Sequence, residues 1–326
     1  MHAHVKINSR GSRGRTAEVP QITVGSENRK IILALALGET PRVGERLATF
    51  HGVGPGTFRG TAGAHLETSS GPAGILEVDP ERAARGIGRT IAVRLAADGA
   101  TVAIHYGANA DAARETLATI EQAGGRGFVL QADLHTPETS IPEMFADFDR
   151  GLAECSGESG LDIVVNNAGQ IMFGSVEVLK PSEFDKAFAV DVKAPFFITQ
   201  AALPRLRDGG RVINISSGTS RVVNPDVVSY AMAKGALEVF SKTAALQLGA
   251  RGITVNAVAP GPTGTEEFLR MAAGNSEFVE HAKAQSALRR LGTPTDIANI
   301  VAFLASDEGG WITGQLIDAT GGTFLG

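Results

Sequence analysis

From about residue 85 onward, helix-like and strand-like stretches alternate along the chain, and this alternation restricts the folds that it can adopt. Apolar residues three and four positions apart predict helices, at 87–98, 111–123, 141–154, 181–206 and from 293 onward. Short apolar runs predict the strands between them, at 101–105, 127–131, 161–165, 212–215, 253–258 and 315–318. Such alternation indicates an α/β fold, a Rossmann-like, doubly wound parallel sheet with helices on both faces, as a single domain over 75–326.

Residues 1–74 do not follow this pattern and are predicted to form an irregular N-terminal extension. The exception is 30–38, which has the length and apolarity of a buried strand. One hypothesis is that this segment supplies the first strand of the sheet and that 39–80 is a large insertion. The other is that the whole region is a non-native, largely disordered extension, for example from a displaced reading frame. The second is preferred, because so long a loop inside one turn is unusual.

Three side chains suited to proton transfer lie in the second half of the chain. Tyr230 and Lys234 are four residues apart in a helical pattern and therefore share one face, and Ser217 follows the strand at 212–215. A nearby ammonium lowers a tyrosine pKa, which is otherwise about 10. The spacing thus predicts that Tyr230 exchanges a proton with a carbonyl or alcohol oxygen, which Ser217 also hydrogen-bonds. Taken alone, a Tyr-x-x-x-Lys pair also fits an ordinary amphipathic helix.

Two further segments occur at strand ends in the same chain order. They are Asn166-Asn167-Ala168-Gly169 after the strand at 161–165, and Pro260-Gly261 after the strand at 253–258. With Ser217, Tyr230 and Lys234 they resemble the short-chain dehydrogenase/reductase family, most of all its 3-oxoacyl-carrier-protein reductases, over about 85–326. The resemblance implies an oxidoreductase that transfers hydride between a nicotinamide cofactor and a carbonyl or secondary alcohol, with Tyr230 as general acid and base.

The resemblance also assigns residues to the cofactor. Besides Tyr230 and Lys234 these are Arg85, Gly86, Ile87, Gly88, Asp133, Leu134, Asn167, Ala168, Gly169, Pro260, Gly261 and Thr265. Arg85 matches a basic position that neutralises the extra phosphate of NADP in similar enzymes. No acid follows the strand at 101–105 to bind a ribose 2′-hydroxyl, so NADP(H) is predicted over NAD(H), with His105 and Asn109 as candidate helpers.

Two departures from the family pattern support an alternative function. Glu81 and Arg82 replace the Thr-Gly of the glycine-rich turn, and the segment 75–80, expected to be the first strand, contains a charge and a proline near its end. Asp191 stands where the family has an asparagine of the catalytic set, and a carboxylate there would raise the pKa of Tyr230 or pair with the lysine. The alternative is a catalytically weak or inactive member that serves as a binding or assembly partner.

Composition restricts the partners. The formal net charge is −5 and the pI about 5.8, so nucleic acid and anionic membranes are not expected as partners. The expected partner is a small-molecule carbonyl or alcohol substrate. The longest apolar stretches are too short to span a bilayer and no signal peptide is recognised, so a cytoplasmic location is predicted. The single cysteine excludes an intrachain disulfide, and the scattered histidines lack metal-ligand spacing.

Two predictions concern surfaces. Segment 266–285 has helical stretches interrupted by Gly274 and several apolar residues, which indicates a mobile substrate cover and a partly apolar substrate. The family commonly pairs the helices that correspond to 181–206 and 229–248, so a homo-oligomer, dimer or tetramer, is expected.

Overall fold

The computed structural model describes residues 30–37, 86–272, 275–323 and 325. Within these residues seven strands form one parallel sheet in the order β3-β2-β1-β4-β5-β6-β7. The strands are β1 Ile31–Leu37, β2 Thr101–Tyr106, β3 Arg126–Gln131, β4 Leu161–Asn166, β5 Leu206–Ile215, β6 Thr254–Pro260 and β7 Leu316–Ala319. The chain order reverses between β1 and β4, and in open α/β sheets ligands bind beyond the carboxyl ends of the strands at such a point.

Helices cover both faces of the sheet, which confirms the predicted fold class. They are α1 Ile87–Ala97, α2 Ala110–Gln122, α3 Pro137–Ser156, α4 Pro181–Phe188, α5 Ala194–Ala202, α6 Val228–Leu248, α7 Glu266–Met271, α8 Ser276–Gln285 and α9 Pro294–Ala305. Apolar side chains of α3, α5 and α6 form the core on one face of the sheet. Those of α1, α2 and α9 form the core on the other face. No described helix is both long and apolar enough to cross a membrane.

The first strand corrects the preferred interpretation of the N-terminal region. Segment Ile31–Leu37 pairs with β2 on one side and β4 on the other, so it lies in the middle of the sheet and not in a separate extension. A central strand is buried on both faces, and the side chains from Ile31 to Ala34 are at most 1% exposed. The uninterrupted apolar run meets this requirement, whereas the charge and proline of 75–80 do not. The domain boundary placed at residue 75, and the segments 1–29 and 38–85, lie outside the described residues.

The predicted helix over 181–206 is divided into three parts. Between α4 and α5 the chain forms one π-helical turn, Ala189–Lys193, which contains Asp191. The helix then ends at Ala202, because Pro204 lacks the N–H and has a ring that clashes with the preceding turn. Leu206 already belongs to β5, where it pairs with Leu161. A π-turn of this kind widens the helix and is frequent at functional sites.

His105, near the end of β2, gives a stability prediction. Its side chain is buried and its Nε2 lies 2.9 Å from the Ala132 carbonyl oxygen, and burial lowers its pKa to about 4 from 6.5. Between pH 6.5 and 4 the unfolded chain therefore binds a proton that the folded chain does not, and stability falls as the pH falls. Urea unfolding is expected to show that the free energy of unfolding decreases between pH 7 and pH 4 by about 3 kcal/mol more in wild type than in His105→Asn. Equal losses in the two proteins would contradict the assignment.

Candidate active site

The three predicted proton-handling residues converge at the carboxyl end of β5. Lys234 lies on α6, and its Nζ is 5.4 Å from the centre of the Tyr230 ring one turn earlier. The lysine is 2% exposed, and its Nζ donates a hydrogen bond of 3.0 Å to the carbonyl of Ile215, the last residue of β5. Helix α6 is thus joined to the strand end through the lysine. Ser217 stands two residues beyond that carbonyl.

The Ser217 hydroxyl is arranged as a donor. Its Oγ accepts hydrogen bonds from the Thr219 hydroxyl at 3.0 Å and from the Thr219 N–H at 3.3 Å. A hydroxyl has one hydrogen and two acceptor lone pairs, so these contacts occupy the oxygen and leave its hydrogen available. That hydrogen is available to Tyr230, and the hydrogen bond between the two side chains acts to lower the tyrosine pKa.

Tyr230 has a raised pKa. Burial is the largest cause, because it disfavours the phenolate, and Lys234 acts in the opposite direction. The Asp191 carboxylate raises the pKa further, the hydrogen bond from Ser217 lowers it, and Glu267 on α7 raises it. A pKa above the usual 10 means that the phenol carries its proton at neutral pH. The side chain can therefore act as a proton donor at neutral pH.

Asp191 and Lys234 form a buried ion pair. The Asp191 Oδ1 is 2.9 Å from the Lys234 Nζ, both side chains are almost fully buried, and Oδ2 accepts a hydrogen bond of 3.2 Å from the Gln170 N–H. Burial raises the pKa of the carboxyl, and the ammonium opposes this. Burial would lower the pKa of the lysine, but the carboxylate outweighs it and the pKa is raised. The structure contains the pairing that the sequence predicted as one consequence of a carboxylate at this position.

Gly169 shows how closely the segment after β4 approaches this pair. A Cβ at that position would lie 2.7 Å from the Asp191 Oδ1 and 3.0 Å from the Lys234 Nζ. A side chain there would displace the ion pair, so the segment Asn166-Asn167-Ala168-Gly169 requires a glycine at its last position for steric reasons. Ala168 is buried beside it, and Asn167 is half-buried.

The start of α1 fits an anionic group. Gly86 precedes Ile87, the first residue of the helix, with φ of 78°, a backbone conformation that glycine adopts readily. The described residues provide no side-chain cap at this end, and the unpaired N–H groups at the start of a helix favour an anion. Gly88 is buried against the sheet. Arg85, Glu81 and Arg82 lie outside the described residues.

The other predicted cofactor residues also lie beyond strand ends. Asp133 is exposed two residues after β3, and its Oδ1 accepts a hydrogen bond of 2.9 Å from the His135 N–H, as in a turn. Leu134 is buried in the core that contains α3. In the loop after β2, the Asn109 side chain caps α2 by accepting from the Ala112 N–H at 3.0 Å. The candidate helper Asn109 therefore has a structural role as well.

The segment after β6 leads to the predicted cover. Gly261 follows Pro260, and a Cβ on it would lie 2.8 Å from the Thr320 Cα, so the backbone next to β7 requires a glycine. Thr265 caps α7 through a hydrogen bond of 3.1 Å from the Phe268 N–H. Phe268 and Phe278 connect α7 with α8 through rings 5.5 Å apart. Gly274, between these helices, lies outside the described residues.

Sequence comparison places this site in a family. Residues 83–323 match the family model described as enoyl-(acyl carrier protein) reductase. Versicolorin reductase 1 from Aspergillus parasiticus is 37% identical over 253 residues, which cover 74% of this chain and 94% of that protein. The chain belongs to the short-chain dehydrogenase/reductase family. This confirms the resemblance and the prediction of an oxidoreductase.

Two solved structures of ketoreductases show the same fold. One is LugOII, a promiscuous reductase that catalyses keto-reduction at C1 during lugdunomycin biosynthesis, with a TM-score of 0.70 and 47% identity over 74% of this chain and 94% of that chain. The other is the landomycin C-6 ketoreductase LanV with bound NADP and rabelomycin, with a TM-score of 0.68 and 47% identity over 75% of this chain and 94% of that chain. At 47% identity, both ketoreductases resemble this chain in sequence as well as in fold.

Some contacts of this short-chain dehydrogenase/reductase were not predicted from its sequence. Thr219 donates to the Ser217 hydroxyl through its own hydroxyl and its backbone N–H, and the Gln170 backbone N–H donates to Asp191. No sequence pattern indicates these contacts. Glu238 also approaches the site, and its spacing of four residues from Lys234 was the signal that could have found it. Among the described residues no group of three His, Cys, Asp or Glu side chains is placed to hold a metal ion.

Proposed function

We propose that this protein is an NADPH-dependent ketoreductase in which Tyr230 donates the proton that completes reduction of a ketone to an alcohol. The observation that carries the proposal is the position of the half-buried Tyr230 side chain, with its raised pKa, beside Lys234 and the Ser217 hydroxyl at the end of β5. An acid is what the reduction direction requires, because the carbonyl oxygen gains negative charge as the carbonyl carbon is reduced.

Each side chain has a defined part in this reaction. NADPH, when bound, would supply the hydride for the carbonyl carbon. The Tyr230 hydroxyl gives its proton to the carbonyl oxygen, and the Ser217 hydroxyl donates a hydrogen bond to that oxygen and holds it in place. Lys234 stabilises the phenolate left on Tyr230, while Asp191 keeps the lysine charged and in position.

The cofactor would bind across the carboxyl ends of the strands. The N-terminus of α1, with Gly86, Ile87 and Gly88, would hold the pyrophosphate. The segments Asp133–Leu134, Asn167–Gly169 and Pro260–Thr265 would contact the adenine and nicotinamide ends. Arg85 would neutralise the 2′-phosphate, and the absence of an acid from Gly107–Asn109 and the bound NADP of LanV support NADP(H) over NAD(H).

The substrate proposed is an aromatic, polycyclic ketone. LanV is described with rabelomycin bound, and LugOII and versicolorin reductase 1 are named as reductases. In this chain the paired Phe268 and Phe278 of the cover and the exposed Ile171 and Phe173 after β4 offer flat and apolar contacts near the strand ends.

A second candidate function is that of a weakly active or inactive member that binds or assembles with a partner. The observation that favours it is the Asp191 carboxylate, which pairs with Lys234 and raises the pKa of Tyr230.

A dimer or tetramer remains a prediction. Apolar side chains that could take part in such an interface are Phe196 on α5 and Val239 and Leu246 on α6, which are 44%, 64% and 88% exposed respectively. The cytoplasmic location also remains a prediction.

Titration of NADPH with the protein discriminates the two candidates. A saturable change of nicotinamide fluorescence is expected with NADPH and a much weaker response with NADH, followed by NADPH consumption when an aromatic ketone is added. NADH measured under the same conditions is the control for the 2′-phosphate. Absence of saturable NADPH binding at high micromolar protein would exclude the ketoreductase proposal. Saturable binding without turnover on a panel of ketones would favour the second candidate.

A further inference from the structure

Glu238 connects α6 to the loop that carries Ser217. It lies one turn beyond Lys234, and its Oε1 accepts hydrogen bonds from the Ser216 hydroxyl at 2.7 Å and from the Ser220 hydroxyl at 2.6 Å. Ser216 precedes Ser217 directly, and Ser220 ends the short helical turn that follows it. One carboxylate oxygen therefore holds the backbone on both sides of Ser217.

We propose that Glu238 is a positioning residue that fixes the Ser217 hydroxyl relative to the Tyr230 hydroxyl, and so relative to a carbonyl oxygen bound between them. The proposal rests on the proposed function for the roles of Ser217 and Tyr230. Tyr230, Lys234 and Glu238 follow one another at intervals of four on α6, so one helix carries the acid, the ammonium and the carboxylate.

Ser217 depends on such an anchor. Its backbone is extended, with φ of −155° and ψ of 150°, and it lies between the end of β5 at Ile215 and the helical turn that begins at Gly218. The hydroxyls of Ser216 and Ser220 form charge-assisted bonds to the carboxylate, which are about twice as strong as neutral ones. The Ser220 oxygen also lies 2.9 Å from the carbonyl oxygen of Ser217, but its one hydrogen serves either that carbonyl or Glu238. The anchor therefore acts on Ser217 through the backbone of its neighbours.

Removal of the acceptor should release the serine. Glu238→Ala is expected to lower kcat for ketone reduction by roughly 10-fold to 100-fold, because a misplacement of about 1 Å can cost 10²-fold, while the KM for NADPH stays within about twofold. Glu238→Gln keeps an acceptor oxygen in the same place and is expected to retain most of the activity. Ser216→Ala combined with Ser220→Ala removes the same contacts from the loop side and should lower kcat by a similar factor. This double variant provides the test if Glu238→Ala does not fold.

A double-mutant cycle tests whether Glu238 acts through Ser217. In a Ser217→Ala background, Glu238→Ala is expected to change kcat by less than about twofold, because the hydroxyl that it positions is gone. An equal loss in both backgrounds would refute the proposal, since the carboxylate would then act independently of the serine. Circular dichroism of each variant reports whether it is folded.

Titration of Tyr230 tests the same inference without turnover. The chain has two tyrosines, so Tyr106→Phe leaves Tyr230 as the sole source of phenolate absorbance. Charged Lys234, Asp191 and Glu267 act on Tyr230 in every variant. Loss of the Ser217 hydrogen bond should raise the tyrosine pKa in Glu238→Ala, whereas loss of a negative charge alone would lower it.

The direction of that change decides the outcome. A higher tyrosine pKa in Glu238→Ala, but not in Glu238→Gln, supports the positioning role, and a lower or unchanged pKa in Glu238→Ala overturns it. If wild type binds no NADPH and reduces no ketone, the proposed function fails, yet this titration still reports whether Glu238 holds Ser217 against Tyr230.

Discussion

Tyr230→Phe is expected to lower kcat for ketone reduction by about 10³-fold, because phenylalanine has no hydroxyl that could donate a proton to the carbonyl oxygen. The ring remains, so packing against the α6 lysine at 5.4 Å and the shape of the site are kept. NADPH affinity measured by fluorescence should therefore change little. The measurement is single-turnover and steady-state oxidation of NADPH with one aromatic ketone.

The matched control is Thr243→Val, which also deletes one hydroxyl from α6. The Thr243 hydroxyl donates to the Val239 carbonyl at 3.0 Å on an exposed part of the helix, outside the site. This variant should retain kcat within about twofold, as surface substitutions usually do. If Tyr230→Phe kept a kcat close to that of Thr243→Val, another group would have to supply the proton and the proposed mechanism would be wrong.

The proton-handling residues could be predicted because their signals are local. The interval of four between Tyr230 and Lys234 places both on one face of any helix, and an apolar run followed by Ser217 places the serine at a strand end. The structure brings these elements together, with the Lys234 Nζ bonded to the last carbonyl of β5. Their chemical roles stay predictions until the variants are measured.

The first strand could not be chosen from the sequence, because the decision depends on partners that are distant in the chain. Ile31–Leu37 became β1 because β2 and β4 flank it and require an apolar segment between them, and no local pattern near residue 31 reports those partners. The interpretation as a disordered extension rests on loop length, which is a weaker criterion than burial on both faces of the sheet. The predicted helix 181–206 extends beyond Ala202, where α5 ends, because the apolar period of the sequence continues past Pro204.

The π-turn and the carboxylate network also depend on tertiary contacts. Asp191 has the same local neighbours whether its helix is regular or widened, and its ion pair with Lys234 forms across two elements. Glu238 has an ordinary helical position, and only the folded loop shows that two serines on either side of Ser217 share its oxygen. Sequence patterns therefore located the groups that are proposed to react better than the groups that hold them.

Asp191→Asn is expected to lower the free energy of unfolding at pH 7 by about 3 kcal/mol, because it leaves Lys234 buried without its counter-charge. The Asp191 carboxylate raises the pKa of Lys234, so its stabilising effect is present below the lysine's unfolded value of 10.5 and is lost as the pH rises through the folded value. The difference between wild type and variant, measured by urea unfolding, should therefore be large at pH 7 and shrink toward pH 11. Lys234→Met added to Asp191→Asn should recover part of the loss, since no uncompensated charge remains.

The same substitution should act on the reaction in the opposite sense. Without the carboxylate the pKa of Tyr230 falls, so the pH dependence of alcohol oxidation, which needs the phenolate, should move to lower pH. Asp191→Glu keeps the charge and serves as the control. A less stable protein whose oxidation profile has moved to lower pH would show that the carboxylate stabilises the fold while its own charge opposes the effect of Lys234 on the pKa of Tyr230. An unchanged profile would mean that Asp191 affects Lys234 without any effect on the tyrosine, and would remove the main argument for the weakly active alternative.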